Sequence, residues 1–458
     1  MYRKKITLTL FALLITIFGP AKILAQETPK VSFGSFYSSF GFGAPVDITS
    51  PNTSGIGLSG VSTYLGYSPN ISNPGQWGLL GFTQGTISAG LLRYDAADNF
   101  ATATNSQFSI DQFQIVVPVV RNRMGVSVAF TPMYRSDFRQ RDEGSFNPLP
   151  DVSANRFDTG TGFNVDIPEF ENESVDFLVS TVGSGGVNRF EAGLGFRVFD
   201  NVSIGYGMTV NLLTLNNNVI SDFSDQQFRV TQYNRSTDGS SIGHRFGIYA
   251  YKGQLFGSSD QLSFGATVTL PTTIIADRAI STFRIINNQR VLLRLDQDET
   301  DRDGTIKLPL EFNTGLTYNF NSTTNVVAEL MLQRWEDAEY SFNANQQGYF
   351  KNRVKTGIGF QHHPYRSDSQ GGFFSNFKYS LGVSYDTGHL NIHGHDIETI
   401  FFNAGLGLMS WRSSSSVDLS FHYGIRGTQS SNLVKENIWG ATLSLNLAEF
   451  MFVRQRFQ

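Results

Sequence analysis

The 458-residue chain has no cysteine, and past its N-terminal leader it has no run of about 18 apolar residues. The first absence excludes a disulfide scaffold, a lipid anchor on cysteine and a thiolate-held metal. The second excludes an internal membrane-spanning helix. Charge is scarce as well: 35 Lys and Arg stand against 39 Asp and Glu, a net charge of −4. No basic cluster follows the extreme N-terminus, so the electrostatic footprint of a nucleic-acid binder is missing. Four-turn amphipathic helices are missing too, and no linker-like shift in composition follows residue 80. What is abundant is glycine, with 45 residues, and aromatic rings, with 40 Phe and 17 Tyr.

The N-terminus carries export information. Arg3, Lys4 and Lys5 precede an apolar stretch from Ile6 to Phe18, and Ala25 stands before the polar Gln26. A basic start, an apolar centre and a small residue at the cut describe a secretory signal peptide over residues 1–25. Gly19, Pro20 and Lys22 interrupt the run, which argues against a retained anchor.

From Leu79 onward the chain reads in steps of two. In "VSIGYGMTVNLL", Val202, Ile204, Tyr206, Met208, Val210 and Leu212 are apolar, while Ser203, Gly205, Gly207, Thr209 and Asn211 are small or polar. That period marks a β-strand between two different environments. Leu262–Leu270, Tyr379–Asp386, Val417–Gly424 and Trp439–Leu447 repeat it. Fourteen such strands fit between residues 79 and 447, the ninth of them over 325–340, and the connections between them alternate in character. "RNR" at 121–123, "DN" at 200–201 and "NSTTN" at 321–325 are tight; 136–186, 217–240 and 272–305 are long.

An even strand count, with short turns at one end and long loops at the other, predicts an all-β, transmembrane outer-membrane β-barrel of about 14 antiparallel strands. A soluble sandwich gives no reason for one-sided loops, and there is too little charge to solvate a large outer surface. The apolar set then faces lipid, and the Gly, Ser, Thr and Asn set faces the lumen. A charge at Met208 is therefore expected to be costly, and one at Thr209 far milder.

Residues 26–78 fall outside the ladder. They are rich in Gly and Ser, aromatic, and broken by Pro45, Pro51, Pro69 and Pro74. A disordered exported segment would be poorer in Phe and Tyr, so this stretch is expected to fold inside the lumen as an N-terminal hatch. Residues 79–447 then form the barrel and 448–458 a periplasmic tail.

Several passages resemble the FadL-type long-chain fatty acid transporters. "GIGLSGVSTYLGYSPNISNPGQW" is similar to that family's glycine-rich hatch, whose Asn-Pro-Ala motif is here Asn73-Pro74-Gly75. "IVVPVVRNRMGVSVAFTPMY", "FEAGLGFRVFDNVSIGYGMTV" and "LPLEFNTGLTYNFNSTTNVVAELMLQRWEDAEYS" are similar to its strand pairs, the last ending near the family's tryptophan, here Trp335. The C-terminal "YGIRGTQSSNLVKENIWGATLSLNLAEFMFVRQRFQ" resembles members from the Bacteroidota. The resemblance implies a fourteen-stranded barrel plugged by its hatch, capture of hydrophobic ligands outside, and sideways release through a kinked third strand. It implies no cofactor and no enzymatic activity; the expected partners are a hydrophobic small molecule and outer-membrane lipid, with the protein a monomer.

Pro132 meets that implication, because proline inside a strand has no N–H for the ladder and marks a bulge or a gap. The other reading is that it merely ends the strand. Phe33, Phe36, Tyr37, Phe40 and Phe42 crowd the start of the hatch and are the candidate ligand-binding residues; otherwise they pack the plug against the wall. Phe138, Phe146, Phe157, Phe163, Phe170, Phe223 and Phe228 fall in stretches expected to be outer loops.

Three chemical motifs are weaker. "GSSIG" around Ser241 fits a nucleophile pattern, but a strand follows where an elbow helix is required. "DQDETDRDG", 296–304, half-matches a calcium loop, with Leu310 where a bidentate Glu belongs. His389, His393, His395 and Asp396 share one outer loop without a fixed ligand geometry.

Overall fold

The computed structural model describes residues 33–146, 174–224, 230–286, 289–293, 301–342, 348–364, 373–409 and 415–449. The expected signal peptide, residues 450–458, the acidic stretch 296–300 and Phe157, Phe163, Phe170 and Phe228 lie outside them.

Fourteen antiparallel strands close into a barrel. They are β1 (Thr83–Ala97), β2 (Thr102–Val120), β3 (Met124–Arg135), β4 (Val175–Phe199), β5 (Val202–Phe223), β6 (Thr231–Gly253) and β7 (Gln261–Thr269). There follow β8 (Glu311–Asn319), β9 (Thr324–Gln333), β10 (Arg353–His362), β11 (Phe377–Asp386), β12 (Thr399–Met409), β13 (Ser416–Arg426) and β14 (Lys435–Glu449). Closure is made by β14 on β1, from Thr83 opposite Glu449 to Ala97 opposite Lys435. A closed ladder leaves no sheet edge to lipid, where an unpaired backbone group has no water to turn to.

The alternation sorts the two faces. In β5, Ile204, Met208, Val210 and Leu212 are exposed on the outside, and Ser203, Gly205, Gly207, Thr209 and Asn211 are buried inside. Then the pattern inverts. Leu213 and Leu215 are buried inward and Thr214 is exposed outward. The inversion marks where the outer wall passes from lipid into water.

Apolar residues cluster inside at that level. Tyr37 and Phe42 of the N-terminal segment pack with Met133, Tyr134, Val187, Leu213, Ile274, Ile306, Trp335, Phe350, Leu390 and Val434. Those residues come from almost every side of the outer end of the wall. The core of the molecule is therefore a cap across the outer mouth, not an axis through the lumen. Two smaller clusters lie deeper: Ile56 with Leu58 and Val327, and Trp77 with Leu80 and Val116.

Three sequence expectations are corrected. The stretches 217–240 and 272–305 are not mainly loops. β5 and β6 stay paired from Val202–Ala250 out to Ser221–Thr231, and a further strand, Thr272–Ile286, pairs with the outer part of β6 and with Asp301–Leu308. Once the outer wall stands in water both faces accept polar residues such as Asn216–Asn218, so the period-two signal fades although the ladder continues. The expected strand 325–340 stops at Gln333 and turns through a short helix, Trp335–Asp337, which carries Trp335 into the cap. The first strand starts at Thr83 rather than residue 79, because 74–79 form a short helix inside the barrel.

Candidate functional site

Residues 33–82 run along the inward faces of the strands, and the wall is shaped to receive them. A Cβ added at Gly205 would lie 2.2 Å from the carbonyl of Pro74, and one at Gly265 would lie 2.0 Å from that of Val61. At Gly382 it would meet the carbonyl of Ile56 at 2.1 Å. The inward glycines of the barrel thus trace the path of the segment, whose backbone comes closer than any side chain allows.

Ionisable side chains of the wall latch the segment. Glu329 of β9 accepts from the backbone N–H groups of Ser59, Gly60 and Val61, at 2.8, 2.8 and 2.9 Å, and from the Ser59 hydroxyl at 2.7 Å. Arg245 of β6 donates to the carbonyls of Ile71 and Ser72, and its other contacts are to Glu191 at 2.9 and 2.7 Å. Lys378 of β11 donates to the Asn52 carbonyl and pairs with Asp418 at 2.6 Å. Glu436 of β14 accepts from the Phe36 N–H and the Ser35 hydroxyl, both at 2.7 Å. In return Asp47 of the segment pairs with Arg353 at 2.8 Å and Lys355 at 2.7 Å. Burial alone would push the Asp47 carboxyl up, but those two cations hold it well below the usual carboxylate range.

Asn73, Pro74 and Gly75 form one of these anchors. The Asn73 side chain caps the helix Pro74–Leu79 by accepting from the Gly75 N–H at 2.9 Å. Its amide donates to the carbonyls of Val61 and Ile248, at 2.8 and 2.9 Å. The motif ties two turns of the segment to each other and to β6.

The five candidate rings divide by place. Phe42 stacks on Trp335 at 5.2 Å and meets Tyr134 edge-on at 4.9 Å. Tyr37 is buried, with its hydroxyl donating to the Val434 carbonyl at 2.5 Å. Phe36 and Phe40 pack at the margin of the cap, and Phe33 lies under the Arg139 guanidinium. None of the five is among the residues lining the luminal cavity.

That cavity holds about 250 Å³ between the segment and the strands β1 to β3 and β10 to β14. Its wall includes Pro45, Val46, Leu92, Tyr94, Phe401 and Ile438, and also Asp47, Arg135, Arg353 and Lys355. It reaches Thr131 and Pro132. At that level the barrel wall changes. The β2–β3 ladder runs from Val120–Met124 to Phe113–Phe130 and stops. From Thr131 to Tyr134 every β3 residue is buried, and the register on β4 slips between Pro132 and Tyr134. Tyr134 and Arg135 pair instead with Pro45 and Ala44. Beyond Pro132, β3 therefore stays on β4 through Tyr134–Val187 and Arg135–Gly186, and takes the N-terminal segment as its neighbour on the side that β2 has left.

The remaining motifs resolve simply. Ser241 and His244 stand on opposite faces of β6. The Ser241 hydroxyl accepts from Asn211, and the His244 ring meets the Tyr206 hydroxyl at 2.8 Å on the outside. His389 is buried against Trp335, ring centroids 4.3 Å apart, while His395 bonds Ser431 at a hairpin tip. Among the described residues no group of three His, Asp or Glu side chains could hold a metal. Glu191, Arg245, Glu329, Lys378 and Glu436 were not singled out from the sequence. Their signal was there: each is an ionisable residue at an inward position of a barrel strand, the kind of residue a membrane segment keeps only for a partner.

These features define a bacterial outer-membrane β-barrel of FadL-like architecture. Its fold is shared with a FadL homologue of Pseudomonas aeruginosa, at a TM-score of 0.55 and 12% identity over 89% of this chain and 99% of that one. It is shared with the P. putida toluene transporter TodX at 0.52 and 13%, over 90% and 99% of the two chains. The Ralstonia pickettii toluene transporter TbuX gives 0.50 and 14%, over 91% and 98%. At such identities the likeness is one of fold. The family is set by residues 158–458, which match the model of the BamG family, and the chain belongs to that family. No curated protein matches the sequence.

Proposed function

We propose that this barrel passes small, largely apolar molecules into or across the outer membrane, leaving sideways where β2 and β3 part. The observation that carries the reading is the meeting of two features at one place: the luminal cavity reaches Thr131 and Pro132, and the β2–β3 ladder ends at Phe113–Phe130. The toluene transporters named above, which share the fold, support it. In this reading residues 1–25 direct export, residues 26–78 are the hatch anchored by Asn73-Pro74-Gly75, and Pro132 marks the lateral gate. The rings of Phe33, Phe36, Tyr37, Phe40 and Phe42 guard the outer approach, and the protein works as a monomer in lipid without cofactor or catalysis. Restoring a ladder N–H with Pro132→Val is expected to depress uptake of a hydrophobic probe into cells or vesicles. Normal uptake by a correctly folded variant rejects the gate.

A second reading has its own support. The outer mouth is closed by a packed apolar cap, the luminal segment is latched by buried ion pairs, and the family match is to BamG rather than to the channels of like fold. A sealed barrel of that kind suits a structural or docking role in an assembly or secretion system of the outer membrane. Mild extraction from native membranes separates the two. Retained apolar small molecules with no constant companion support passage; a stoichiometric protein partner with no bound ligand supports docking.

A further inference from the structure

The charges around the luminal cavity decide what class of molecule it accepts. Arg353 is held by Asp47 and Asp386, Lys355 by Asp47, and Arg135 by Asp111. Arg426 lies 3.5 Å from Glu436. Among the described lining residues, each Arg and Lys therefore already has its carboxylate. A further carboxylate, Asp137, accepts from Gln107 and from the Gly185 N–H. An anionic ligand would enter a low-dielectric space with no uncommitted cation to meet it, and a buried unpaired charge is costly. A cationic ligand would find Asp47, Asp111 and Asp386 already paired with those cations, and Asp137 engaged by two neutral donors.

Two neutral groups on the same wall are uncommitted. Among the described residues the Ser384 hydroxyl, on a residue 2% exposed, has no hydrogen-bond partner, and neither does the Nδ2 of Asn403, on a residue 7% exposed. The other end of the Asn403 amide is engaged: its Oδ1 lies 2.8 Å from Nδ1 of His422, which donates to it. Both Ser384 and Asn403 line the cavity, where Phe401, the register partner of Ser384, and also Leu92 and Ile438 supply apolar surface. Buried polar groups are nearly always satisfied, and one left open beside a cavity marks a place for a ligand atom.

Resting on the passage reading above, we propose that the cavity binds an uncharged amphiphile: a compact apolar body bearing one hydroxyl or carbonyl, whose oxygen meets Asn403 Nδ2 and the Ser384 hydroxyl. This departs from the fatty-acid expectation, which requires a free cation for the carboxylate.

The test uses the full-length protein in lipid nanodiscs at pH 8, with empty nanodiscs subtracted, and hexan-1-ol and hexanoate as probes of equal chain length. Binding is followed by ligand-observed NMR and calorimetry. Hexan-1-ol is expected to bind at least tenfold more tightly than hexanoate. Ser384→Ala should weaken hexan-1-ol several-fold, as the loss of one buried hydrogen bond does, without changing the heat-modifiable mobility of the folded barrel. Among the described residues that hydroxyl has no intramolecular partner to lose, so such a loss is not a folding effect. Hexanoate binding as tightly as the alcohol overturns this assignment and leaves the passage reading standing. Binding of neither probe overturns both. Unchanged hexan-1-ol affinity in Ser384→Ala removes the polar anchor and with it the proposal.

Discussion

Glu191→Gln offers the most direct test of the latched lumen. Glu191 and Arg245 are each 3% exposed and joined by two hydrogen bonds, and Arg245 holds the segment through the Ile71 and Ser72 carbonyls. Arg189 is buried in the same patch, repelled by Arg245 and attracted by Glu191 and Glu311. Removing one member of a buried pair costs about 3–5 kcal/mol, because the other charge is left uncompensated. Glu191→Gln strips the shared counter-charge from two guanidiniums at once, so its cost belongs at the upper end, about 4–5 kcal/mol. Arg245→Met leaves Glu191 beside Arg189 and belongs at the lower end, about 3 kcal/mol. The double variant should cost at least about 2 kcal/mol less than the sum, since both single changes break one interaction. Urea unfolding of the barrel in phospholipid vesicles reads these values. Trp77, bonded to Asn70 within the segment, is a nearby fluorescent reporter. Additive costs, or a Glu191→Gln penalty under about 1 kcal/mol, would refute the claim that this pair latches the lumen.

Gly205→Ala, which drives a methyl group into the Pro74 carbonyl, is expected to release the luminal segment to protease, whereas Gly85→Ala, with nothing nearer than 3.8 Å, leaves it protected. Met208→Arg, on the lipid face of β5, should cost about 2–4 kcal/mol in the same unfolding assay if it sits at mid-membrane. His389 is buried in the cap, where burial, with Arg353 and Arg426 adding to it, drives its pKa well below the ordinary histidine value. The folded state keeps this ring neutral while the unfolded chain takes up a proton below about pH 6.5, so stability is lost as pH falls through that value, by about 1.4 kcal/mol per unit. His389→Leu should flatten that acid slope, and an unchanged slope counts against the assignment.

The barrel was legible in the sequence because its signal is physical and repeated. A wall between lipid and a polar interior must alternate, and the strands from Val202 and from Tyr379 do so residue by residue. The corrected loops show the limit of that signal: above the membrane, Asn216–Asn218 and Arg235–Asp238 keep their ladder partners without an apolar face to betray them. Site residues were harder to read. Phe42 and Tyr37 were picked out as rings near the hatch, but sequence alone does not distinguish a ring packed in a cap from one lining a cavity. The Ser384–Asn403 pair has no sequence mark at all, since it is defined by partners that are missing.

The Thr209 expectation shows how a correct face assignment still misjudged an energy. Thr209 points inward, as its position in the alternation requires, and a charge there was expected to be far milder than one at Met208. The lumen at that level is not water. Thr209 is 1% exposed, and a Cβ on Gly243 beside it would already lie 2.7 Å from its hydroxyl. Thr209→Arg would bring a third buried guanidinium near Arg189 and Arg245, with Glu191 already engaged. Its penalty should therefore equal or exceed that of Met208→Arg, whose side chain can bend toward the interface. The inward glycines could have given warning. A hydrated channel has no use for Gly193, Gly195, Gly205, Gly207 and Gly247 in three adjoining strands, whereas a backbone packed against the wall does. Read that way, a run of small inward residues separates a filled barrel from an open one before any coordinate is known.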